Sequence, residues 1–161
     1  MAKLFFLLTV LCVVATVKAH STGTQLKCQD RRPDPSGHAY ATSYSNNGGK
    51  FQVSASCSSS GKVTVTVSAT SDRKIYGYRV DTSAGNFPSS SNSQHNIVCR
   101  DKTGITHRSS QSRSSVSAVL DPQGASSIQL TVVVVAGNNV YSSVSEWYQW
   151  TKTLSNPCSS G

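Results

Sequence analysis

The segments Ile75–Phe87, I-Y-G-Y-R-V-D-T-S-A-G-N-F, and Asn96–His107, N-I-V-C-R-D-K-T-G-I-T-H, decide how this chain folds. Two apolar runs flank a polar loop, Pro88–Gln94. In the first run Tyr76, Tyr78 and Val80 alternate with Ile75, Gly77 and Arg79, the period of two of an extended strand. The second run carries Cys99, then a turn over Asp101–Gly104, then Ile105-Thr106-His107. The middle of the chain therefore reads as two or three sheet strands with one cysteine anchored among them.

The same period extends outward in both directions. Asn46-Asn47-Gly48-Gly49 is turn chemistry. Phe51, Val53, Ala55 and Cys57 then alternate with polar residues, as do Val63, Val65, Val67 and Ala69 after the Ser58–Gly61 turn, which predicts a hairpin of strands 51–57 and 62–69. Val116, Ala118 and Leu120 repeat the pattern before Asp121-Pro122-Gln123-Gly124. In Ile128–Ala136, Ile128, Leu130, Val132 and Val134 point one way while Val133 and Val135 fill the other, the signature of a strand buried on both faces. Past Gly137-Asn138-Asn139 a last strand starts at Val140 and ends near Trp150, with Trp147 and Trp150 placed to cover a sheet end. No segment has a helical period. Seven or eight short strands separated by turn signals predict an all-β, immunoglobulin-like antiparallel β-sandwich.

Length and composition bound the rest. The 161 residues suffice for one domain. Lys3, the apolar run Leu4–Val17 and the Val17-Lys18-Ala19 site read as a signal peptide over residues 1–19, leaving a single domain over 20–161. The run is short for a membrane span, and no later apolar run is long enough, so no integral span is expected; the leader left uncleaved as an anchor is the alternative. Cleavage removes two lysines and no acid, taking the formal net charge from +8 to +6. It also removes Cys12 and leaves Cys28, Cys57, Cys99 and Cys158, an even number that fits disulfides in a secreted protein, with three pairings open. No N-glycosylation sequon occurs, and the Ser-rich loop after Pro88 permits O-glycosylation.

The order of the central pieces resembles the Reeler domain, first named from the N-terminal region of reelin. That family carries G-[FY]-x-[VL], A-x-G-x-F, L-x-C and V-T-H in sequence. Here the matching residues are Gly77-Tyr78-Arg79-Val80, Ala84-Gly85-Asn86-Phe87, Ile97-Val98-Cys99 and Ile105-Thr106-His107. Cys28, Pro35 and His38 match the family's opening C…P…H, while the charged Asp30-Arg31-Arg32 departs from it. The resemblance runs from about Cys28 to about Trp150. It implies an immunoglobulin-like sandwich and a Cys28–Cys99 bridge, which leaves Cys57 to Cys158. Proteins made of a leader and one such domain resemble the secreted insect defence proteins, which implies binding to microbial surfaces in innate immunity. Relatives with ferric-chelate reductase activity carry haem and membrane domains, so that activity is not carried over.

Enzyme chemistry is sparse. There is no G-x-S-x-G elbow, P-loop, C-x-x-C or H-E-x-x-H, and Glu146 is the sole glutamate. The abundant serines lack a recognisable base and oxyanion site. His20, as a mature N-terminus, offers an amine and an imidazole to one copper ion, as in lytic polysaccharide monooxygenases, with His38 or His107 as second ligand. The competing reading of His107 is a structural histidine hydrogen-bonded at a strand end, and it is the one favoured here. Charge is the remaining signal. Arg100, Lys102, Arg108 and Arg113 lie within fourteen residues against Asp101 alone, and Arg31, Arg32, Arg73, Lys74 and Arg79 are further cations. Such a chain attracts microbial surface polyanions, glycans or acidic membranes; ordinary solubilising charge is the plain alternative. A leader directs it away from nucleic acid. Tyr40, Tyr44, Tyr76 and Tyr141 are candidate sugar-stacking faces. The expectation is a secreted, extracellular recognition protein that is not an enzyme and needs no cofactor. A secreted structural, egg-fluid or matrix protein is the second reading and the copper enzyme the third.

Overall fold

Alternating β-branched and hydroxyl side chains build strands wherever one face finds apolar cover, and the turn-forming clusters between them set the strand ends. The computed structural model describes Cys28 and residues 42–70, 72–88, 95–109, 111–138 and 144–159. Residues 1–19, read above as a leader, and His20, Arg31, Arg32, His38, Tyr40 and Tyr141 lie outside the described residues. In chain order the strands are β1 (Thr42–Tyr44), β2 (Phe51–Cys57), β3 (Val63–Ala69), β4 (Arg73–Thr82), β5 (His95–Val98), β6 (Gly104–His107), β7 (Ser115–Leu120), β8 (Ser127–Asn138) and β9 (Val144–Ser155). They form a six-stranded sheet, β1-β9-β8-β4-β6-β5, and a three-stranded sheet, β2-β3-β7. The described residues contain no helix, and the two sheets pack as an all-β sandwich.

The core lies between the sheets. Phe51, Val53, Val63, Val65 and Val67 meet Tyr78, Val80, Ile105, Ile128, Leu130, Val132, Val134 and Tyr148 there. The hairpin runs in the expected register, from Phe51 opposite Ala69 to Cys57 opposite Val63. The sheets also touch through the backbone at both ends of β7. Ile75 and Arg113 exchange hydrogen bonds of 2.8 and 2.9 Å, and Asn86 and Asp121 exchange a second pair of 2.9 and 2.8 Å. Gly85 makes the second junction possible: its φ is +75°, and a Cβ there would collide with the Asp121 carbonyl. Cys57 is bonded to Cys158, which ties the end of β2 to the chain beyond β9, and Cys28 is bonded to Cys99.

Three expectations are corrected. The strict alternation over 75–80 fails because β4 has a bulge between Ile75 and Gly77 against β8, so Ile75, Tyr78 and Val80 all enter the core while Tyr76 does not. The sheet is not purely antiparallel, because β1 pairs in parallel with β9, from Thr42↔Glu146 to Tyr44↔Tyr148. The last strand continues past Trp150 to Ser155, because its full length pairs with β8. Val133 and Val135 are buried on the outward face of the larger sheet, as the V-V-V-V run predicts. On that same face of β4 lie Arg79 and Asp81, 5% and 6% exposed. They form an ion pair with Arg79 Nη2 2.9 Å from Asp81 Oδ1, and Arg79 Nη2 also donates to the Cys28 carbonyl at 3.2 Å. Arg79 is therefore built into the fold and is no surface cation.

Candidate functional site

The basic residues are distributed by the β5–β6 hairpin. Arg100 and Lys102 are exposed in its turn, where the Lys102 amide donates to the Cys99 carbonyl at 3.2 Å and Lys102 has a φ of +58°. Arg108 and Arg113 lie beyond the other end of β6. The four residues of β6 alone span about 10 Å, more than the screening length of about 8 Å at physiological ionic strength. The structure thus places the four cations as two groups, one at each end of a short strand. Between the first two, Asp101 accepts from the Thr103 hydroxyl at 2.8 Å and its amide at 3.3 Å, and these bonds hold its carboxyl below its ordinary value.

The second group stands on a built platform. His107, at the end of β6, lies beside Tyr78, and Arg113 pairs with Ile75, so these two residues flank the β4 bulge. Arg113 fastens the chain between them: its Nη1 donates to the Gln111 carbonyl at 2.9 Å and to the Ser109 carbonyl at 3.3 Å, and its Nη2 donates to Ser109 Oγ at 2.7 Å. Burial pushes the Tyr78 hydroxyl up to about 12, with the Arg113 charge partly opposing it. Arg108 is exposed, and Lys74, next to Ile75, is half-buried. Arg73 is committed elsewhere, 3.0 Å from Glu146 Oε1. Glu146 also accepts from the Tyr148 hydroxyl at 2.6 Å, and burial with that bond raises the Tyr148 hydroxyl well above its ordinary value. Lys74 and Arg108 are thus the cations this end presents outward. Lys74 was legible as a cation, but its place next to the bridge between Ile75 and Arg113 was not.

His95 and His107 sit at the same end. His107 Nδ1 accepts from the Tyr78 amide at 3.3 Å, and its ring lies over Gly77, where a Cβ would stand 3.0 Å from Cε1. That gives the I-T-H and G-Y pieces one physical reason: the imidazole needs the missing side chain. His95 is directly opposite His107 in the β5–β6 register and is buried, which lowers its pKa from 6.5. Among the described residues no group of three or more His, Cys, Asp or Glu side chains is placed to hold a metal ion. No helix among them is long and apolar enough to cross a membrane.

A different constellation gathers at the opposite edge of the larger sheet. Ser43, Tyr44 and Ser45 of β1 and its exit, with Trp147, Gln149, Trp150 and Thr151 of β9, line an open groove. Tyr44 stacks on Tyr148 with centroids 4.9 Å apart and planes at 13°. Trp150 stacks on Phe51 at 6.1 Å and 19°. The tryptophans were expected at a sheet end, but the groove itself depends on the unforeseen strand β1.

No protein-family model matches the sequence, and no curated protein sequence matches it. Solved structures match the fold. The crystal structure of the Reelin-N domain of F-spondin aligns with a TM-score of 0.52 at 15% identity, covering 74% of this chain and 94% of that one. The human F-spondin reeler domain (fragment 1) aligns with a TM-score of 0.52 at 15% identity, covering 73% and 95%. At this identity the likeness is one of fold: the chain has the Reeler-domain sandwich.

Proposed function

We propose that this protein is an extracellular recognition domain that acts by binding, not catalysis, and that its target is a polyanionic surface such as a microbial envelope. The observation that carries this reading is the basic end of the sandwich. Exposed Arg108 opens the segment that Arg113 ties through Ser109 and Gln111 and that pairs with Ile75, the neighbour of Lys74, and the chain carries a formal net charge of +8, or +6 without residues 1–19. Opposite charge on a broad surface gains from several such cations at once and from the counterions they displace. The two disulfides support an oxidising, extracellular setting. The likeness in sequence pattern to secreted insect defence proteins supports the innate-immune assignment. The reading is tested by co-sedimentation with lipopolysaccharide and with phosphatidylglycerol vesicles over a salt series. Binding should fall steeply with salt, and Lys74→Ser with Arg108→Ser should weaken it more than Arg100→Ser with Lys102→Ser. Binding that ignores salt, or a Lys74/Arg108 variant that binds as the parent does, would overturn it.

A further inference from the structure

We infer that the groove between β1 and β9 is a second binding site, one that takes a neutral saccharide chain. It lies on the β1–β9 edge and does not depend on the basic end. Its origin is a step in the sheet: β1 pairs with β9 only as far as Tyr148, and Gln149, Trp150 and Thr151 continue beyond it. Ser43 stands directly across from Trp147, so a small side chain leaves the flank of the indole open.

Two of the groove's aromatic rings, Tyr44 and Trp150, are backed by buried rings before any ligand arrives. Tyr44 is 39% exposed, the most exposed large hydrophobic side chain among the described residues. Its inner face is stacked on Tyr148, which is 1% exposed and anchored through its hydroxyl to Glu146. Trp150 is likewise backed by the buried Phe51. Flat apolar faces held in place lose little conformational entropy on binding, and they match the apolar C–H faces of a pyranose ring. The hydroxyls of Ser43, Ser45 and Thr151 and the amide of Gln149 supply donors and acceptors between them, as ring hydroxyls require. Among the described residues, no side chain lining the groove is charged. A polyanion finds no cation among these residues, and a proline-rich peptide would use the rings and offer carbonyl acceptors but few donors for the hydroxyl and amide oxygens. The composition therefore favours a neutral, polyhydroxylated chain.

The test is a tryptophan-fluorescence titration of the intact protein with β-1,4-linked N-acetylglucosamine hexamer, β-linked glucose hexamer and a polyproline peptide. At least one saccharide should give a saturable change that persists at high salt, where binding through the basic end is lost. Trp147→Ala should weaken that binding by roughly tenfold or more, about 1.4 kcal/mol per tenfold, and Gln149→Ala by less. If Trp147→Ala disturbs the circular dichroism spectrum, Tyr44→Ala carries the comparison instead. The inference fails if neither saccharide binds, if the folded variants bind as the parent does, if salt abolishes the binding, or if polyproline binds more tightly than both sugars. The Lys74→Ser/Arg108→Ser protein should keep full saccharide affinity, so failure here and failure of the polyanion reading are separate results.

Discussion

Arg79 and Asp81 are two positions apart on β4, so both side chains emerge on the outward face of the larger sheet, where they are almost completely buried. Gly104 pairs with Asp81, and a Cβ on it would stand 2.5 Å from Asp81 Oδ1, so this glycine makes room for the carboxylate. Removing one member of a buried ion pair leaves the other desolvated and uncompensated. Asp81→Ala should therefore cost about 3–5 kcal/mol, whereas replacing Arg79 and Asp81 together with apolar residues of similar volume should cost much less; urea denaturation of both variants checks this. In the sequence Arg79 reads as one more surface cation, because alternation within a strand cannot say whether the outward face is covered. His95 makes a pH prediction. Burial lowers its folded pKa below 6.5, so the unfolded chain takes up the proton first as the pH drops. The stability of the neutral ring is complete above about 6.5 and is lost below it, until the folded ring also protonates. Melting temperatures of His95→Leu should consequently fall less than those of the parent between neutral and mildly acidic pH. His107 lies directly opposite His95 in the β5–β6 register, and a His107→Gln series separates its contribution from that of His95.

Among the elements, β2, β3 and β7 were legible because their single buried face prints a clean alternation on the sequence, and β8 because both of its faces are buried. β4 misled because its bulge at Tyr76 shifts the parity of Ile75 relative to Tyr78, and nothing in I-Y-G-Y marks which residue is extra. β1 was invisible for a different reason: three residues cannot show a period, and T-S-Y becomes a strand only because the edge of β9 offers it partners. The Cys57–Cys158 bridge acts at this scale, joining β2 of one sheet to the chain just past β9 of the other across 101 residues of sequence. Cys57→Ser with Cys158→Ser removes the loop-closure constraint on the unfolded chain and should lower stability by about 2–4 kcal/mol. The urea midpoint should move accordingly, with the sheets still formed.

For the molecule as a whole, far-UV circular dichroism should show a β spectrum without the double minimum of helices. The two bridges lie in different parts of the fold, one at the β5–β6 turn and one past β9, so their effects should add. Reducing both should lower the thermal midpoint by about the sum of the two Cys→Ser pairs measured separately; a much larger drop would mean that they stabilise one shared unit. The fold class was readable from residue order alone, since alternation and turn chemistry are local properties and each strand carries its own. The motif pieces around Gly77, Gly85 and Cys99 were readable as a pattern, and the resemblance already implied the bond of Cys99 to Cys28, but the reasons for the glycines were not readable: Gly77 makes room for His107 and Gly85 for the Asp121 carbonyl. Both candidate sites belong to the tertiary structure. The four clustered cations of the sequence divide into two groups because β6 is extended, and Lys74 stands next to the second group's Arg113 only because a backbone bridge sets Ile75 beside it. The aromatic groove unites residues about a hundred positions apart through a parallel pairing that no local period encodes. Local chemistry selects strand or turn, but which strands become neighbours is decided by how the apolar faces of all of them are covered together.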